Sequence, residues 1–193
     1  GYLEKAADGR LSTSLSLLRE LPARLRERDF SGQAVAVGNE VVEVDPPGSD
    51  SDVLGLAIDI GTTTLAAGLV DLATGKIVAI DAELNPQIAF GADVISRIMY
   101  AQDGTAKREK LQKELVKGLN QLVLRLCRSA RLEKERIFEV TVVGNTTMLH
   151  TLLGLEARHI ALAPYVGGLS RPLDLPATGL GMEINPRGKL HIM

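Results

Sequence analysis

The string Asp59-Ile60-Gly61-Thr62-Thr63-Thr64 is the part of this sequence best equipped for chemistry. It stands where an apolar run ends and the chain turns back. Gly61 removes the Cβ that would hold a ligand away, while successive N–H groups and threonine hydroxyls offer a concavity for phosphate oxygens. Asp59, at the end of the run, has the chemistry to hold Mg²⁺ through water, because that ion keeps much of its hydration shell. The plainer alternative is a polar hairpin turn whose threonines serve β-propensity. A second junction, Gly144-Asn145-Thr146-Thr147, lies between an apolar run and a short helical pattern. A helix start presents free N–H groups, so this junction would face a phosphate or the metal's water shell. The alternative there is N-capping by Asn145 or Thr146 with no ligand.

Other chemistry-bearing residues are weaker candidates. No Gly-x-x-x-x-Gly-Lys-Ser/Thr string occurs, which excludes a lysine-dependent P-loop. Asn85, Gln87 and Asp93 fall in a loop that would contact a nucleotide or partner, with helix capping the simpler role for Asp93. His150, His159 and His191 lack metal-ligand spacing, and each reads as a surface or satisfied buried histidine. Cys127, among Leu122, Leu124 and Leu126, reads as a small core residue.

The elements that must position these residues follow from periodicity. Strands are expected over 53–59, 64–71 and 76–83, forming an antiparallel meander closed by Leu72-Ala73-Thr74-Gly75. A helical region starts near Gly91 and breaks at Asp103-Gly104. The long helix after it carries Leu111, Leu115, Leu119, Leu122 and Leu126 on one face, with a basic, solvated remainder. A buried strand over 139–143 follows a helix and so joins the meander in parallel. A short helix then runs through about Leu153. From Glu156 to Arg187 no periodicity stands out, and proline recurs.

Residues 1–50 read as a small α+β unit. Leu11, Leu15, Leu18, Leu21 and Leu25 predict an amphipathic helix over about 12–28, kinked at Pro22. A hairpin over 33–37 and 40–44 turns at Gly38-Asn39, and Asp45 to Asp52 is a polar linker. The expected domains are therefore 1–50 and 53–193.

Composition bounds the function. At 193 residues the chain is about one domain or slightly more, with 45% apolar and 24% charged residues. A net charge of -2 and 3% aromatics disfavour nucleic acid, which needs a basic field or stacking platforms. One cysteine cannot form an internal disulfide, a cysteine-rich zinc site or an iron–sulfur cluster, and it fits a reducing cytoplasm. No apolar stretch is long enough to span a membrane, and Gly1-Tyr2-Leu3-Glu4-Lys5 does not open like a signal peptide. The opening glycine, with no initiator methionine, suggests a fragment.

The order strand, Asp-x-Gly-Thr-Thr loop, strand, turn, strand, helix, strand, helix resembles the N-terminal lobe of the sugar kinase, Hsp70 and actin superfamily, with its ribonuclease H-like α/β core. The blocks at 56–64, Asn85-Pro86-Gln87, 90–98 and 142–150 are together similar to RACo-type reductive activators of corrinoid proteins. Residues 1–50 resemble the small middle domain that those proteins place ahead of the ATPase domain. The resemblance implies an ATP-dependent activator in which a plant-type [2Fe–2S] domain passes an electron to Co(II) corrinoid protein, restoring Co(I). It implies ATP and Mg²⁺ as ligands of the parent and a corrinoid protein as partner. Asp59 becomes the metal-side carboxylate and Gly61, Thr62, Thr63 and Thr64 the first phosphate loop. Gly144, Asn145 and Thr146 match a family block of unassigned role.

The departures imply that this is a central piece, without the cluster domain and the second ATPase lobe, and inactive alone. An uncovered inter-lobe face would favour a non-native homodimer. Two other readings remain open: a small-molecule kinase of the same superfamily, and a non-catalytic docking module.

Overall fold

Two units share the chain, Gly1–Val53 and Leu54–Met193. The computed structural model describes residues 11–193, so the opening segment Gly1-Tyr2-Leu3-Glu4-Lys5 lies outside the described residues. In the first unit β1 (Ser12–Thr13) precedes α1 (Leu15–Arg26), and β2 (Gln33–Val37) and β3 (Glu40–Asp45) complete a sheet of order β1-β3-β2. The helix starts later than its leucine spacing predicts, because Ser12 and Thr13 pair in parallel with Glu40 and Val41. Ser14 caps it by accepting from the Leu17 N–H at 3.3 Å. The buried face also differs from the predicted stripe. Leu17 is fully buried against Val41 and Val44, with Leu21 and Leu11 beside it, whereas Leu15 and Leu18 are exposed. Pro22 lies inside the assigned helix. In the hairpin only Gly38 takes a positive φ, of 56°.

The second unit is built on a six-stranded mixed sheet. Strands β4 (Leu54–Ile60), β5 (Thr64–Asp71) and β6 (Lys76–Leu84) form the antiparallel meander. Helix α2 (Val94–Gln102) and helix α3 (Thr105–Ala130) then lead to β7 (Ile137–Gly144), which pairs in parallel with β4. Helix α4 (Thr146–Leu152) follows, and β8 (Leu173–Pro176) and β9 (Lys189–Ile192) extend the sheet to the order β6-β5-β4-β7-β9-β8. This is the ribonuclease H-like arrangement of an actin-like ATPase lobe.

Period-two alternation decides which face of the sheet is buried. Leu54, Leu56, Ile58 and Ile60 of β4 point to the same side as Leu65, Ala67 and Leu69 of β5, and α3 covers them with Leu115, Leu119, Leu122 and Leu126. Burying each of these leucines is worth about 1.5–3 kcal/mol. Arg125 of α3 reaches Asp81 Oδ2 at 2.7 Å and Glu83 Oε2 at 2.6 Å, tying the helix to β6. Part of the basic surface of α3 is thus ion-paired within the fold. The region from 156 to 187 is less irregular than its sequence suggests. It holds 3₁₀ turns at Arg158–Ile160 and Ala177–Leu180, together with β8, which is antiparallel to β9. Among the described residues no helix is long and apolar enough to cross a membrane.

Candidate functional site

The hairpin between β4 and β5 is held from behind. The Gly61 N–H donates to the Thr64 carbonyl at 2.9 Å, and a Cβ on Gly61 would stand 2.6 Å from that same oxygen. Glycine is therefore required by the tightness of the turn itself. The loop's other carbonyls point into the protein. Asn85 Nδ2 donates to the Gly61 carbonyl at 2.9 Å, the Asn85 N–H to the Thr63 carbonyl at 2.8 Å, and Arg97 Nη2 to the Thr62 carbonyl at 2.6 Å. Among the described residues nothing accepts from the Thr62 and Thr63 N–H groups. With its acceptors occupied and its donors free, the loop is equipped for an anion.

Asn85 and Gln87 are fully buried, which corrects their reading as ligand or partner contacts. Asn85 Oδ1 accepts from the Gln87 N–H at 3.0 Å, and Gln87 Nε2 donates to the Leu111 carbonyl at 2.9 Å. Their work is to fix the loop to α3. Asp93 caps α2 in a capping box with Ser96, accepting from its N–H at 2.8 Å.

Sequence reasoning gave no role to Arg97. Only 1% exposed, it donates from Nε to the Gly91 carbonyl at 2.9 Å and places Nη1 3.4 Å from Met148 Sδ and 3.5 Å from Gln87 Oε1. Among the described residues no carboxylate lies within ion-pair distance of it. Burial pushes its pKa down from the usual value, opposed by the charge of Asp93. The available signal was an arginine in the otherwise uncharged run Val94-Ile95-Ser96-Arg97-Ile98-Met99.

Asp59 stands on the opposite face of the sheet from the core, exposed, between Ala66 of β5 and Val143 of β7. It lines a shallow, largely apolar concavity of about 290 Å³ with Ala57, Gly68, Ile77, Ile80 and Thr141 among the walls. No group of three or more metal-ligating side chains surrounds it among the described residues. A single carboxylate suits a hydrated Mg²⁺ rather than a fully protein-ligated ion.

The two candidate motifs meet. Asn145 Nδ2 donates to Thr62 Oγ1 at 3.1 Å, while its Oδ1 caps α4 by accepting from the Met148 N–H at 3.0 Å. Gly144 pairs with Ile60, and a Cβ there would lie 2.9 Å from the Ile60 carbonyl oxygen. Thr146 is exposed beside them. Its carbonyl accepts from His150 Nδ1 at 2.7 Å, and His150 Nε2 accepts from the Gly168 N–H at 2.7 Å. That network assigns the neutral Nδ1–H tautomer to His150, buried and satisfied.

The residues present fit a nucleotide's phosphates better than a metal cluster. Cys127, the chain's one cysteine, is buried in the core under α3, and burial pushes its thiol pKa up. A four-cysteine cluster does not fit this chain.

The model of the RACo middle region matches residues 54–193. Corrinoid activation enzyme RamQ of Eubacterium limosum is 32% identical over 160 residues, which is 82% of this chain and 27% of that protein. The solved structure of a reductive activator for corrinoid, iron-sulfur protein superposes with a TM-score of 0.85 at 37% identity, over 99% of this chain and 31% of that one. The chain thus spans less than a third of the length of either relative.

Proposed function

Because the chain belongs to the RACo middle-region family, we propose that it is the nucleotide-binding N-terminal lobe of an ATP-dependent reductive activator that returns Co(II) corrinoid protein to Co(I). Residues 1–50 form the small domain ahead of that lobe. The observation that carries this reading is the hairpin at Gly61–Thr64, with its carbonyls bonded inward and the N–H groups of Thr62 and Thr63 without an acceptor among the described residues. Gly61, Thr62, Thr63 and Thr64 form the phosphate loop, in which Gly61 gives the tight turn and the N–H groups and hydroxyls of the threonines receive phosphate oxygens, and Asp59 holds a hydrated Mg²⁺. Gly144, Asn145 and Thr146 border the same site and fix its shape through the Asn145 to Thr62 bond.

This chain, with one cysteine, would not hold a [2Fe–2S] centre; such a centre, supplied in reduced form from outside these residues, would give the one electron that converts Co(II) to Co(I). What this chain supplies is a nucleotide-dependent difference in binding energy between two docked states. A corrinoid protein is the partner, and the site of action is the cytoplasm.

The test is isothermal titration of MgATP and MgADP into the chain and into a version extended to the length of its relatives. Nucleotide binding by the extended form, lost on Asp59→Ala, together with ATP-dependent appearance of the Co(I) absorbance of a corrinoid protein, is the expected result. An extended form that binds no nucleotide overturns the reading.

A further inference from the structure

Arg97 is a buried cation placed behind a loop whose Thr62 and Thr63 N–H groups find no acceptor, and among the described residues no carboxylate is in contact with it. Its hydrogen bonds are met by the carbonyls of Gly91 and Thr62, assisted by Gln87 and Met148 Sδ. Its charge is not. A buried guanidinium ordinarily sits against a carboxylate, because an uncompensated charge in the interior is costly. Here the cation is retained beneath a loop whose Gly61, Thr62 and Thr63 carbonyls are all bonded within the fold. The sequence also lacks the lysine with which a P-loop neutralises phosphate.

We propose that Arg97 is the positioning residue and buried electrostatic source of the phosphate loop: by holding the Thr62 carbonyl it sets the Thr62–Thr63 peptide so that the Thr63 N–H faces the ligand, and its charge gains a close counter-charge when a polyphosphate occupies the loop. This rests on the nucleotide reading of the same loop and goes further, because it assigns the site's positive charge to a residue that does not touch the ligand. It also makes the loop selective for the more highly charged phosphate chain. Nη1 lies 3.4 Å from Met148 Sδ, which places the same charge beside the first turn of α4 and the Gly144-Asn145-Thr146 junction that precedes it.

Inorganic tripolyphosphate, titrated to tens of millimolar into the ¹⁵N-labelled chain, tests this, because amide shifts register the weak binding of a half-site. Shifts at Thr62, Thr63 and Thr64 are expected. Arg97→Met should weaken binding roughly tenfold or more, the order of one charge acting across a few ångströms in a partly screened interior. Arg97→Lys should recover part of it. Since Arg97→Met removes hydrogen bonds as well as charge, a second pair isolates the electrostatics. Met148→Glu supplies a counter-charge in contact with the guanidinium, and Met148→Gln is its neutral counterpart. Glu should bind tripolyphosphate at least fivefold more weakly than Gln, with the gap narrowing as salt rises. Equal affinities of these two variants overturn the role of Arg97 while leaving the loop as the site. Absence of any shift at Thr62–Thr64 in the unaltered chain overturns the loop and Arg97 together.

Discussion

Replacing Gly61 by alanine tests whether the phosphate hairpin is as tight as its geometry states. The new methyl would stand 2.6 Å from the Thr64 carbonyl oxygen, closer than real Cβ contacts are found. The obstacle is backbone and cannot rotate aside, and the same oxygen accepts the Gly61 N–H at 2.9 Å. Thr64 is in turn paired with Leu84 of β6, so its retreat disturbs the start of β5. Relieving such a clash costs about 1–3 kcal/mol. Against this, alanine reduces the freedom of the unfolded chain by up to about 1 kcal/mol. The net loss is about 1–2 kcal/mol, or roughly 3–8 °C in Tm for a unit of this size. The comparison is Gly179→Ala, where an added Cβ meets nothing within 4 Å and no positive φ stands in the way. That variant should be neutral or slightly more stable. Thermal melts followed by circular dichroism, with urea midpoints as a second measure, give both values. If Gly61→Ala melts at or above Gly179→Ala, the hairpin yields easily and the argument from its tightness is wrong.

Leu122→Ala should destabilise the second unit by about 2–5 kcal/mol in urea unfolding, since Leu122 is only 1% exposed between α3 and the sheet. Cys127 should resist thiol reagents at pH 8 in the native protein and react fully in denaturant, because burial both blocks it and raises its pKa. The Arg125 guanidinium hydrogen-bonded to Asp81 holds that carboxyl below the usual carboxylate range. A depressed carboxylate contributes stability above its unfolded pKa and loses it as pH falls through the folded value. The stability difference between the native chain and Arg125→Ala should therefore be constant near neutrality and shrink below about pH 4 in urea melts at stepped pH.

The sheet and its covering helix were legible because their signals are local and repeated. Leu54, Leu56, Ile58 and Ile60 alternate strictly, and the α3 leucines recur at helical steps, so each pattern specifies an element and its buried face. Unit one was harder. Leu11, Leu15, Leu18, Leu21 and Leu25 make a convincing stripe, yet Ser12 and Thr13 are taken by β3, and the helix that remains turns Leu17 inward. β8 was invisible for a related reason, since Leu173–Pro176 becomes a strand only by pairing with β9. At the site, Gly61 to Thr64 and Asn145 announce themselves by residue type. Arg97 does not, because its partners are backbone carbonyls, which no sequence pattern encodes. Asn85 and Gln87 misled because polar side chains in a connecting loop read as contacts for a nucleotide or partner, when they are the phosphate loop's interior supports.

The position of β4 has a kinetic consequence. On one side it meets β5 across a tight hairpin, with Ile60 facing Leu65, and on the other it meets β7, with Ile58 facing Val142 far along the chain. Hairpins form in microseconds, whereas joining distant strands must first overcome the entropy of closing the intervening loop. The meander and α3 are therefore the natural early products, and docking of β7 is the slow step that completes the sheet. Until β7 arrives, β4 is an open edge that can recruit another chain. Refolding yield should accordingly fall with protein concentration, while the rate of meander formation should not.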